Sequence, residues 1–161
     1  MSEIRVNVSN HQTLFEIDDD QIVAAVSSVL KAQQISAAEV SVAIVDDPQI
    51  HVLNREHLNH DYPTDVLSFL YEATDTLIDG ELIVSTDTAR RVGAEHGMQE
   101  HDELVLYIVH GALHLVGFDD DTDAAQIEMR EHERRHMLGL GIDVPDEPAL
   151  PQSQTDSGAQ T

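Results

Sequence analysis

Apolar and polar residues alternate along EIRVNVSN (3–10), which predicts a strand with one buried face. The period then lengthens. In DDDQIVAAVSSVLKAQQ (18–34), Ile22, Val23, Val26, Val29 and Leu30 fall on one face of a helix, and the acids at its start suit the positive end of the helix dipole. EVSVAIVDD (39–47) predicts a second strand, and PQIHVLNREHLN (48–59) a helix with Pro48 in its first turn. DYPT (61–64) reads as a turn and VLSFLYE (66–72) as a strand. A loop around Asp79 and Gly80 is expected to lead into a further strand, ELIVST (81–86). STDTARRVGAEHG (85–97) predicts a helix with a Ser or Thr cap and Gly97 at its end. EHDELVLYIVHGALHLVG (100–117) has little polar surface, so it should be a central helix closed by Gly117. TDAAQIEMREHERRHMLGLG (122–141) is a charged, amphipathic last helix.

This order predicts an α+β fold of α/β type: a small mixed four-stranded sheet packed with about five helices. Residues 1–141 are expected to form one domain. From Ile142 to Thr161, Pro145, Pro148 and Pro151 stand among Ser, Gln, Thr and acidic residues, so a disordered tail is expected.

Composition narrows the chemistry. There are no cysteines, so any metal must be held by His, Asp or Glu. No basic-apolar leader and no membrane-length apolar run is present, and a soluble cytoplasmic protein is expected. The net charge of −23 opposes a general attraction to nucleic acid, which rests on Lys and Arg neutralising phosphates. It leaves room for a local basic edge, for instance at Arg90 and Arg91.

Two stretches nearly rhyme: HGALHLVGFDD (110–120) and HERRHMLGLGID (132–143). In a helix, residues i and i+4 share a face, so each histidine pair can chelate one ion. In the first, His110 and His114 lie on an apolar helix that Gly117 ends. The chain can then turn back and bring Asp120 to the third corner. Three protein ligands with an open position describe a catalytic zinc site. The second stretch is a literal H-E-x-x-H, the metallopeptidase pattern, with Glu133 between its histidines. Its context fails: Arg134 and Arg135 place cations beside a would-be dication, and Ile142 stands where a third ligand is needed. Its histidines are expected at the edge of the core. His11, His51, His57, His60, His96 and His101 are scattered, and His60 beside Asp61 is the one nearest a turn into a strand.

HGALHLVGFDD resembles the H-G-x-L-H-L-x-G-Y-D-H motif of the YbeY family, bacterial metal-dependent endoribonucleases of ribosomal RNA maturation. DYPTDVLSF (61–69) is similar to that family's P-T-[DN]-V-L-S-F, GELIVS (80–85) to its G-D-I-x-I-S, and MLGLG (137–141) also fits. The blocks run in order over about residues 40–141. The resemblance implies a mixed-sheet fold with the metal at the mouth of a cleft. It implies single-strand-specific cleavage of RNA in 16S rRNA 3′-end maturation and ribosome quality control, with rRNA precursor and the small ribosomal subunit as partners.

Carried over by position, His110 and His114 are the first two metal ligands, and Asp120 stands where the third, normally a histidine, belongs. Phe118 replaces a Tyr, and Glu81 replaces an Asp. Leu58 stands where members commonly carry an arginine; Arg55 or His60 would have to substitute. Asp119 is expected to accept a hydrogen bond from a ligand histidine or to contact the attacking water. Thr64, Asp65 and Ser68 are expected to line the substrate cleft. The cofactor expected is one Zn2+ or another divalent transition ion per chain. A non-catalytic, metal-stabilised ribosome-assembly factor is the alternative, and a zinc metallopeptidase built on His132, Glu133 and His136 is the third reading.

Overall fold

Why the site forms where it does follows from one helix lying across one sheet. The computed structural model describes residues 3–58 and 66–145, and of 53–58 only the backbone. Among these the chain runs β1 (Glu3–Asn10), α1 (Asp19–Ala32), β2 (Ala37–Val45), α2 (Asp47–Leu58), β3 (Val66–Ala73), β4 (Leu77–Ser85), α3 (Thr86–His96), α4 (Glu100–Leu115) and α5 (Asp123–Gly139). The sheet order is β1-β2-β4-β3. β1, β2 and β4 are parallel, and β3 returns antiparallel to β4. The expected mixed four-stranded sheet and helix set are what the structure has.

Side-chain alternation sorts the residues of each strand between two faces. Val40, Val42, Ile44, Ile78, Leu82 and Val84 join the main core with buried residues of α1 and α4. Val45, Leu67 and Ile83 form a smaller core on the other face with Ile50 of α2. Helix α4 is central as expected, touching α1, α3, α5, β3 and β4.

One expectation is corrected. Asp79 and Gly80 lie inside β4, not in a loop, and the hairpin turn comes earlier, between β3 and β4. Gly80 pairs with Val40 in β2 and with Leu70 in β3. It is a glycine because a Cβ there would lie 2.8 Å from the Phe69 carbonyl oxygen and 3.0 Å from Leu115 Cδ2. The residue marks a close approach of α4 to the sheet, which sequence alone presents as a turn signal. The chain goes on packing just after α5. Gly141 adopts a positive φ of 84°, Ile142 N–H donates to the Met137 carbonyl at 2.9 Å, and Ile142 is buried. Val144 also packs on the core. Packing therefore continues past Gly141, and residues from Asp146 lie outside the described chain.

Candidate metal centre

His110 and His114 sit one turn apart near the end of α4. At that turn the helix presses on the sheet. A Cβ on Gly111 would lie 2.9 Å from Leu82 Cδ2, 3.0 Å from Val66 Cγ2 and 3.1 Å from Ser68 Oγ. A side chain there would have to push these neighbours aside, which is the physical reason a glycine and not a glutamate follows His110. Ser68 donates to the Gly111 carbonyl at 3.4 Å and ties β3 to the same turn.

The helix then ends in a glycine turn. Gly117 has φ of 104°, its N–H donates to the His114 carbonyl at 3.1 Å, and Phe118 N–H donates to the Leu113 carbonyl at 3.0 Å. The chain reverses. Gln126 of α5 donates to the Asp120 carbonyl at 3.1 Å and pins the returning segment. Asp120 Oδ2 comes to rest 3.4 Å from His110 Nε2 and 3.7 Å from His114 Nε2, and the two Nε2 atoms are 3.1 Å apart. A circle through three atoms so spaced has a radius of about 2.0 Å, the length of a zinc–nitrogen or zinc–oxygen bond. The three side chains are 17%, 11% and 18% exposed, sheltered but open to solvent on one side.

The proton bookkeeping points the same way. Glu133 Oε2 lies 2.5 Å from His110 Nδ1. A carboxylate there accepts, so the network assigns the His110 proton to Nδ1 and leaves Nε2 as a lone pair. That lone pair faces a second imidazole nitrogen and a carboxylate oxygen. Such a convergence of acceptors is held together by a cation, either a proton or a metal ion. Burial alone would raise the Asp120 carboxyl; with a proton as that cation, hydrogen bonds and charge from the His110–His114 pair outweigh it and hold the carboxyl well below the usual carboxylate range. Two imidazoles and one carboxylate fit a divalent transition ion. Among the described residues, His110, His114 and Asp120 are the group whose ligand atoms lie within 4.8 Å of one another.

The second histidine pair does not converge. His132 stacks on Phe118, ring centroids 4.3 Å apart, and His136 is buried with Nδ1 2.7 Å from Ser28 Oγ of α1. Both rest at the core's edge, as expected. His96 lies 3.3 Å from the buried Glu103, and His101 accepts from the Asp18 N–H at 2.9 Å.

Asp119 is exposed, and the carboxylate hydrogen-bonded to a ligand imidazole is Glu133 instead. Sequence reasoning weighed Glu133 only against its own flanking histidines. A signal was available: Met129, Glu133, His136 and Met137 fall at helical spacing, and three of the four are buried against the core. A lone acid in an inward stripe needs a partner. Glu81 accepts from the Tyr71 hydroxyl at 2.8 Å. His60, Thr64 and Asp65 lie outside the described residues, as do the side chains of Arg55 and Leu58, so the expected cleft lining is known only at Ser68.

The family model described as Endoribonuclease YbeY matches residues 7–141. The chain belongs to the YbeY family. A relative from Rhodopirellula baltica, named Endoribonuclease YbeY, is 45% identical over 73% of this chain, which spans 63% of that protein, less than two thirds of its length. One of the same name from Chloroherpeton thalassium is 37% identical over 78% of this chain and 88% of its own. The solution structure of a Thermotoga maritima protein superposes with a TM-score of 0.58 at 23% identity, covering 86% of this chain and 89% of that one. That likeness speaks for the fold. No helix among the described residues is long and apolar enough to cross a membrane.

Proposed function

We propose that this chain is a cytoplasmic, single-strand-specific, metal-dependent endoribonuclease of 16S rRNA 3′-end maturation and ribosome quality control, acting on rRNA precursor at the small ribosomal subunit. The observation that carries the reading is the convergence of His110 Nε2, His114 Nε2 and Asp120 Oδ2 on one ion-sized point, in a chain whose relatives are named endoribonucleases.

His110, His114 and Asp120 would hold one Zn2+ or a similar divalent ion, whose chemistry is to neutralise charge on a phosphoryl oxygen and to activate water. The chain's own residues set the terms. Asp120 brings a negative charge that a third histidine would not, which weakens the site as an acid. Gly111 excludes a glutamate base next to His110, so the peptidase arrangement cannot form on this helix. Ser68, its proton committed to the Gly111 carbonyl, offers substrate an acceptor beside the site. Thr64, Asp65 and Arg55 are assigned to the RNA path, with Arg55 supplying the cation that Leu58 lacks.

A second reading, a non-catalytic metal-stabilised assembly factor, draws on Leu58 and on the charge of −23. Metal analysis and RNA cleavage by the purified protein and by Asp120→Ala separate them. We expect one divalent ion per chain and cleavage of single-stranded RNA, both lost in the variant. Metal bound without cleavage, together with co-sedimentation on small-subunit precursors, establishes the assembly reading. A wild-type protein that binds no metal overturns both.

A further inference from the structure

We propose that Glu133 is a positioning residue for the metal centre, recruited from the literal H-E-x-x-H of α5 to serve the histidine pair of α4. The inference rests on the proposed metal site and deepens it. Glu133 comes from the helix after the ligand loop, 23 positions from His110, yet its Oε2 meets His110 Nδ1. The contact holds the imidazole in the tautomer that leaves Nε2 unprotonated and fixes the plane in which that lone pair points. It also raises the electron density of the ring, making His110 a stronger donor. α5 is itself anchored, by the buried Met129 and Met137 and by the contact of His136 with Ser28 of α1. The orientation of His110 therefore depends on how α5 docks.

Glu133 also borders a hollow of about 100 Å³ with Arg130, Arg134 and Leu106. Shortening its side chain enlarges an existing space rather than opening a sealed void, so the fold should accept the change.

The test uses the full chain, stripped of metal and titrated with Zn2+ against a chromogenic chelator, then with Co2+ followed by its visible absorption. Glu133→Ala should lose about 10- to 100-fold in Zn2+ affinity and alter the Co2+ bands. Glu133→Gln keeps an acceptor oxygen without the charge and should fall between, near tenfold. Glu131→Gln, exposed on the same helix, should match wild type. Thermal unfolding of the metal-free proteins separates loss of packing from loss of affinity. If Glu133→Ala fails to fold, the isosteric Glu133→Gln decides alone. Zn2+ affinity within twofold of wild type with an unchanged Co2+ spectrum overturns this role and leaves the metal site standing. A wild type that binds neither ion overturns the role and the proposed function together.

Discussion

The helix ends at 110–120 and 132–144 carry the same turn and do different things. Each has histidines four apart, and each closes by a backbone bond five residues long: Phe118 N–H to the Leu113 carbonyl, Ile142 N–H to the Met137 carbonyl. Both donors are apolar residues packed on the core, as such turns favour. Two positions beyond them stand Asp120 and Val144. The first reaches back to two imidazoles, and the second joins the core. The histidines differ in distance from their turns as well. His114 is three residues before Gly117, but His136 is five before Gly141, so the second pair faces away from its own returning chain. A shared motif thus yields one ion-sized cluster and one piece of core. What separates them is the register between helix face and turn, which the regular expression does not encode.

The widest separation should come from removing one imidazole in each stretch. His114→Ala should lose metal affinity by more than about 100-fold, since a direct ligand outweighs a supporting contact. RNA cleavage should vanish with it. His132→Ala, which loses a ring contact with Phe118, should keep both. Equilibrium metal titration and a cleavage assay on one single-stranded RNA check the pair. Equal losses in the two variants would erase the distinction.

The glycine after His110 is the next test. Alanine there gains about 1 kcal/mol of helix propensity. Its Cβ, however, meets the buried Leu82 and Val66 inside 3.0 Å or at it. Overpacking of that kind costs about 1–3 kcal/mol, so the net change in Gly111→Ala should be a destabilisation of about 0–2 kcal/mol in urea unfolding. At the matching place in the second stretch, Glu133 is tolerated because it points to His110. A stabilised Gly111→Ala would mean that the helix can lift from the sheet.

How much of this was legible beforehand varies by residue. The strands, the central helix, the cap at Ser85, and the cluster of His110, His114 and Asp120 all follow from local rules: period, cap chemistry and a glycine turn of fixed length. Gly80 misled because a glycine's lack of a Cβ serves a turn and a tight helix–sheet contact alike. At Ile142 the acids and prolines that follow mask one apolar contact. Glu133 was missed because its partner lies on another helix, and only the packing of α5 against α4 brings the two together. Local signals carry the ligands; the support of the ligands is tertiary.

The smallest effect should come from His136, and it tests whether the second pair is core. Burial, then the nearby positive charge of His132 and Arg135, hold its imidazole below the ordinary histidine value. The folded protein therefore keeps His136 neutral where the unfolded chain would bind a proton. Proton uptake on unfolding makes stability rise with pH. The contribution is fully present above the unfolded value, near 6.5, and is lost as pH falls from there through the lower folded value. In metal-free protein, wild type should therefore lose more unfolding free energy between neutral pH and mild acid than His136→Gln does. All other groups are common to both proteins, and their contribution cancels in the difference. Parallel pH profiles would place His136 in solvent-like surroundings, and with it the claim that the second stretch is built to pack.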